Sequence, residues 1–168
     1  MTAPTISSSS KTLAAVNVSR VIKAPREKVF NAWKDPEVFA QWWLNDKNEP
    51  PMALALDARK GGKYCIVQTC ESCGQDYHAP ADYRWVIDGE FLEFVEPERI
   101  AFTWHVNDPR AAGSEPCEQR VTVRFEEHAE GTLVTITHTG IVAEHDHKGT
   151  TEGWTGMLAS QAKVLEAN

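Results

Sequence analysis

From about residue 12 to residue 23 apolar and polar positions alternate, and the β-branched Val16, Val18, Val21 and Ile22 predict a first strand. Ala24-Pro25 ends it, and proline suits the first turn of a helix because the amide it lacks would be unpaired there. Val29, Phe30 and Trp33 recur at helical spacing. Asp35-Pro36 repeats the device, an N-cap carboxylate followed by proline, for a second short helix with Val38, Phe39, Trp42 and Trp43. Neighbours on a helix diverge, so one of Trp42 and Trp43 is expected at a cavity mouth or a partner surface.

Beyond Pro50-Pro51 the pattern is strand-like almost to the end. Met52 to Ala58 reads as a strand, Gly61-Gly62 as a turn, and Lys63 to Thr69 as a strand with Tyr64, Ile66 and Gln68 on one face. After a polar excursion, Tyr83 to Val95 forms a long strand in which Gly89 marks a bulge or bend. Arg99 to Val106 puts Ile100, Phe102 and Trp104 on one face, with His105 on the other. Val121, Val123 and Phe125 alternate with polar residues, and a turn at Gly131 leads to Thr132–Thr139, where Val134, Ile136 and His138 share a face. Gly140 to Gly149 reads as a loop. A last helix, starting near Thr150 or Thr151, carries Trp154, Met157, Leu158, Gln161, Ala162 and Leu165 at helical spacing.

The fold class is therefore α+β: about seven strands, two short helices after the first strand, and a long C-terminal helix. Residues 1–11, rich in Ser, Thr, Ala and Pro, read as a disordered leader, and residues 12–168 as a single domain. A chain of 168 residues with 42% hydrophobic and 24% charged residues can bury a core of its own. With 17 Lys+Arg against 24 Asp+Glu the net charge is −7, which argues against nucleic-acid backbones and anionic membranes as partners. The start of the chain lacks a basic segment followed by an apolar one, so the cytoplasm is the expected compartment, where four cysteines stay reduced.

The order of elements resembles the helix-grip fold of the START-like (SRPBCC) superfamily, in which a curved antiparallel sheet wraps a long C-terminal helix and leaves a cavity. The wording is most similar to the heat-shock-protein-90 ATPase activator homologue group. The matching segments are Val21 to Phe30, Trp33, Gln41-Trp42-Trp43, Gly61 to Tyr64, Gly89 to Glu93, Pro97 to Trp104, Thr132 to His138, and Gly153-Trp154 with Leu158. The resemblance spans roughly residues 13 to 166 and implies a cavity between sheet and helix. The group's name adds a link to chaperones and the stress response.

Six tryptophans, four of them on inward faces, favour a site for a flat or apolar molecule. The expected ligand-binding residues are Trp33, Tyr64, Tyr83, Trp85, Phe102, Trp104, His138, Trp154 and Leu158. His138 or Tyr83 would be the polar anchor. An acid–base enzyme, such as a cyclase, dehydratase or hydrolase, would use the same cavity with His138 or Glu90 as its proton-transfer group. Glu90 and Glu93 flank the Gly89 bend, and a bulge there would turn one inward. A protein-binding module related to chaperones, or a homodimer, would use the Trp42/Trp43 surface.

Cys70-Glu71-Ser72-Cys73-Gly74 has the shape of a zinc knuckle, with Cys65, His78 and Cys117 as further ligands, yet the chain has no second C-x-x-C. The Glu144–His147 stretch offers imidazoles and carboxylates without a fixed third ligand. No metal is favoured, and no cofactor is expected, since neither a phosphate loop nor a dinucleotide fingerprint occurs.

Overall fold

The computed structural model describes residues 13–44, 48–69, 84–106, 118–142 and 144–167. Seven strands form one antiparallel sheet: β1 (Val16–Ile22), β2 (Ala53–Leu56), β3 (Lys63–Thr69), β4 (Arg84–Val95), β5 (Arg99–Val106), β6 (Gln119–His128) and β7 (Gly131–Thr139). Their order across the sheet is β1-β7-β6-β5-β4-β3-β2. Consecutive strands from β2 to β7 are neighbours, while β1 closes back on β7. The two edge strands, β1 and β2, are thus joined by the segment holding the short helices α1 (Arg26–Asn31) and α2 (Pro36–Trp42). That segment crosses one face of the sheet, α1 packing on β6 and β7 and α2 on β2 and the C-terminal helix.

Alternation buries one face. Val121, Val123 and Phe125 of β6 are buried beside Val134, Ile136 and His138 of β7, at the register Val121↔His138, Val123↔Ile136 and Phe125↔Val134. On β5, Ile100 and Phe102 lie on this face with half-buried Trp104, and His105 turns to solvent, as the alternation predicts. Removing such residues from water supplies the main driving force for the fold.

The bulge lies a little beyond the predicted Gly89, where the β4–β5 register shifts between Phe91 and Glu93. One extra residue lets Phe91 and Phe94, which differ in parity, both reach the core face. Their rings meet edge to face at 5.5 Å, and Phe94 meets Phe30 at 5.4 Å. Both acids stay on the other side. Glu90 is exposed, and Glu93 pairs with Arg99 at 2.9 Å and Arg120 at 3.8 Å, so the bulge re-aims apolar side chains and not carboxylates.

The C-terminal helix α3 (Glu144–Glu166) starts about two turns earlier than the apolar spacing predicts. Its first turns face outward and carry no apolar stripe. They are held by other means: Glu144 sits at the positive end of the helix dipole, and the His147 Nε2 lies 3.0 Å from the Ala14 carbonyl. Beyond them Trp154, Leu158, Gln161, Ala162 and Leu165 are buried.

Trp42 and Trp43 do not divide between core and surface as expected from their adjacency. Both are buried, at 0% and 2% exposure. α2 stops at Trp42, and Trp43 is its C-cap with φ −81° and ψ 86°. Because α2 packs against both β2 and the C-terminal helix, each indole finds apolar neighbours: the Trp42 ring lies 4.7 Å from Trp33, and the Trp43 ring 5.7 Å from Trp154 and 6.1 Å from Trp104.

Candidate functional site

Nine side chains from the crossing segment and the β2–β5 half of the sheet enclose a pocket: Trp33, Phe39, Trp43, Leu56, Tyr64, Ile66, Phe91, Phe102 and Trp104. α2 and its C-cap supply Phe39 and Trp43, whose rings stack at 5.0 Å and 14°. Trp33 comes from the turn before α2, and its ring lies 4.7 Å from that of Trp42. The Trp42 Nε1–H donates to the Ala32 carbonyl at 2.8 Å, which fixes α2 against the end of α1. Asp35 caps α2 as the sequence predicts, its Oδ1 accepting from the Glu37 amide at 3.0 Å.

The sheet contributes the opposite wall. Tyr64 lies over Gly89, its register partner on β4. A Cβ at Gly89 would come within 2.8 Å of the Tyr64 ring and overlap the Thr103 carbonyl oxygen, so glycine is what admits the phenol here. The Tyr64 hydroxyl donates to that same Thr103 oxygen at 2.6 Å. Burial, and secondarily the Asp88 carboxylate, push its pKa far above the ordinary phenol value, so it stays protonated. The cavity between these walls measures about 20 Å³, room for little more than one water.

Between the sheet and α3 the described side chains pack around Trp154. Trp154 is the junction: its ring lies 6.3 Å from Trp33, 5.7 Å from Trp43 and 5.4 Å from Trp104. Its Nε1–H, which can only donate, points to the His138 Nδ1 at 3.0 Å. The ring proton of His138 is therefore on Nε2, which donates to the Gln119 Oε1 at 2.7 Å. His138 is 1% exposed, and burial lowers its pKa from 6.5 to about 4. It is a neutral imidazole with both nitrogens occupied, a poor proton acceptor at physiological pH.

Of the residues expected from sequence to bind a ligand, Trp33, Tyr64, Phe102 and Trp104 stand together in the pocket wall. Trp154 and His138 back it, while Leu158 is buried one helical turn further along α3. Trp85 is half-buried on β4 opposite Gln68, outside the wall. Tyr83, Cys70, Cys73 and His78 lie outside the described residues. Glu90 is exposed and reaches the site only through its backbone amide, which donates to Thr103 Oγ1 at 2.9 Å. Phe39, Trp43, Leu56, Ile66 and Phe91 belong to the wall without having been assigned to it. Ile66 shares parity with Tyr64, a signal present in the sequence, whereas Leu56 and Phe91 depend on which strands meet α2. Among the described residues no group of three or more His, Cys, Asp or Glu is placed to hold a metal ion.

Comparison with known proteins accords with this architecture. Protein CV1439 from Chromobacterium violaceum has a similar structure, with a TM-score of 0.71 at 24% identity, covering 92% of this chain and 99% of that one. Protein Mll3558 from Rhizobium loti gives 0.71 at 21% identity, with coverages of 92% and 99%. The solution structure of an AHSA1-like protein from Aeromonas hydrophila gives 0.67 at 21% identity, with coverages of 91% and 92%. At these identities the likeness concerns the fold alone. No curated protein matches the sequence. No described helix is long and apolar enough to cross a membrane. Residues 23–166 match the family described as Activator of Hsp90 ATPase homolog 1-like protein, and the chain belongs to that family.

Proposed function

We propose that this protein binds a small apolar or aromatic molecule in the pocket between α2 and the β2–β5 half of the sheet. One observation carries the reading: seven aromatic and two aliphatic side chains converge on one cavity, and among the described residues no charged side chain lines it. The cavity of about 20 Å³ is far smaller than the roughly 150 Å³ that accommodates a benzene ring, so binding requires the wall to part. The elements on that side suit such a movement. α2 is seven residues long and β2 four, and β2 is an edge strand paired only with β3. Short elements at an edge open at lower cost than the centre of a sheet.

The acid–base alternative has lost its two candidates, because His138 is fully engaged and Glu90 faces solvent. The chaperone-related alternative rests on the family's name, since the indoles proposed as its contact are buried.

Titration of the protein with naphthalene, followed by tryptophan emission and by the indole N–H resonances, tests the reading. Saturable binding is expected, and Leu56→Phe should weaken it about ten-fold or more by overfilling the cavity while leaving the far-ultraviolet circular dichroism unchanged. Unchanged spectra up to the solubility limit of naphthalene, or equal binding by the folded variant, would sink it.

A further inference from the structure

The hydrogen-bonding inventory of the pocket is one-sided. The Trp43 Nε1–H donates to the Gln68 Oε1 at 3.1 Å. An indole N–H can only donate, so this bond fixes the orientation of the Gln68 amide and leaves its Nε2 as the free end. Gln68 is 8% exposed, and its Nε2 is buried with no partner among the described residues. The Trp33 Nε1–H is in the same condition, on a ring that forms part of the wall. The acceptors nearby are already taken: Gln68 Oε1 by Trp43, and the Thr103 carbonyl by the Tyr64 hydroxyl. Gln68 stands just outside the wall and is tied to it through Trp43, whereas Gln161, whose amide atoms are both unpartnered among the described residues, sits on α3 with no such bond to a wall residue.

Two buried donors without acceptors, one on the wall and one beside it, are an unfavourable feature of the pocket. A guest that parts the walls and brings an acceptor would satisfy them, whereas a guest bringing only donors would not. A charged guest would be buried against a wall whose described residues include no charged side chain to compensate it. From this we infer that the pocket selects neutral, mostly apolar molecules carrying a hydrogen-bond acceptor, such as a ketone, aldehyde, ester or aryl ether, with Trp33 and Gln68 as the donors. The inference rests on the pocket reading above and specifies its ligand class.

Indane and 1-indanone separate the two claims, because they share size and shape and differ in one carbonyl. 1-Indanone is the more water-soluble, so partitioning alone would favour indane. The expected result is that 1-indanone binds about five-fold more tightly or better, the worth of roughly one net hydrogen bond, and shifts the Trp33 indole N–H resonance. Gln68→Met, which keeps the length and removes the amide, should reduce that preference, and Trp33→Phe should do the same if it folds. Equal binding of the two, or tighter binding of indane, overturns the acceptor selectivity and leaves the pocket reading intact. Failure of both probes to bind at their solubility limits overturns both claims.

Discussion

Trp154 stands between two regions of one core that are built on different terms. On one side, Leu158, Ala162 and Leu165 of α3 are buried in the same core as Val16 and Ile22 of β1 and Val134 and Ile136 of β7. Here His138 has found a partner for each nitrogen. On the other side, aromatic rings lean at mixed angles around a small cavity, Leu54, Leu56 and Trp104 are only partly buried, and two indole or amide donors stay unpaired. The first side is packed for stability. Unpartnered amide atoms occur on both sides, at Gln161 and at Gln68, but the second side gives up packing around an apolar cavity, and that is where a guest can compete with the protein's own contacts.

The comparison is sharpest in paired truncations. Leu158→Ala should cost about 3 kcal/mol, within the usual span of roughly 2–5 for a buried leucine, while half-buried Leu56→Ala on the short edge strand should cost about 1. Urea unfolding with an unchanged slope reads both, and equal costs would erase the distinction between the two sides.

A second test uses pH and reads His138, which lies behind the pocket wall against Trp104 and Trp154. The pKa of His138 is lowered on folding, from 6.5 to about 4, so the unfolded chain binds the proton more readily. Its contribution is fully present above about pH 6.5 and is lost as the pH falls toward 4, roughly 2 kcal/mol of it by pH 5. Proton resonances of the ring should show it neutral through pH 5, and His138→Phe should lessen the acid sensitivity of unfolding. A ring titrating near 6.5 in the folded protein would contradict the buried arrangement.

The smallest effect concerns the outer face of α3. A Cβ at Gly153 or Gly156 would meet nothing within 4 Å, so alanine at either should stabilise the helix by about 0.5–1 kcal/mol. Thermal melts measure the gain, and naphthalene binding should be untouched. A change in binding would mean that the two regions communicate through α3.

The fold was legible because the sequence alternates cleanly where one face is buried. β3 and β5 fall on the predicted residues, and the shared face of Val134, Ile136 and His138 is the one observed. What could not be read is what periodicity does not encode. The first turns of α3 are polar on every side, so no stripe announces them. The burial of both Trp42 and Trp43 depends on α2 lying against β2 and α3 together, and that of His138 on partners 16 and 19 residues distant. The pocket was half legible: the aromatics of β3 and β5 were in view, but which helix covered them was not. The expected space lay between sheet and α3; the described cavity is lined from the crossing segment and the sheet, with Trp154 of α3 behind it.

The strand order has a consequence for assembly. β3 to β7 form a meander of consecutive hairpins whose pairings are local, whereas β1 must wait for β7, over a hundred residues later. Local pairings form faster than distant ones, so the meander is expected to precede the docking of β1. Six inter-strand spacings of about 4.8 Å separate the edges, and the chain between Ile22 and Ala53 is a strap drawn across that width. α2 rides on this strap. Slack introduced at either fastening would reach the pocket without altering any residue that lines it, which makes the length of the connection, as much as its composition, a determinant of how tightly the pocket is shut.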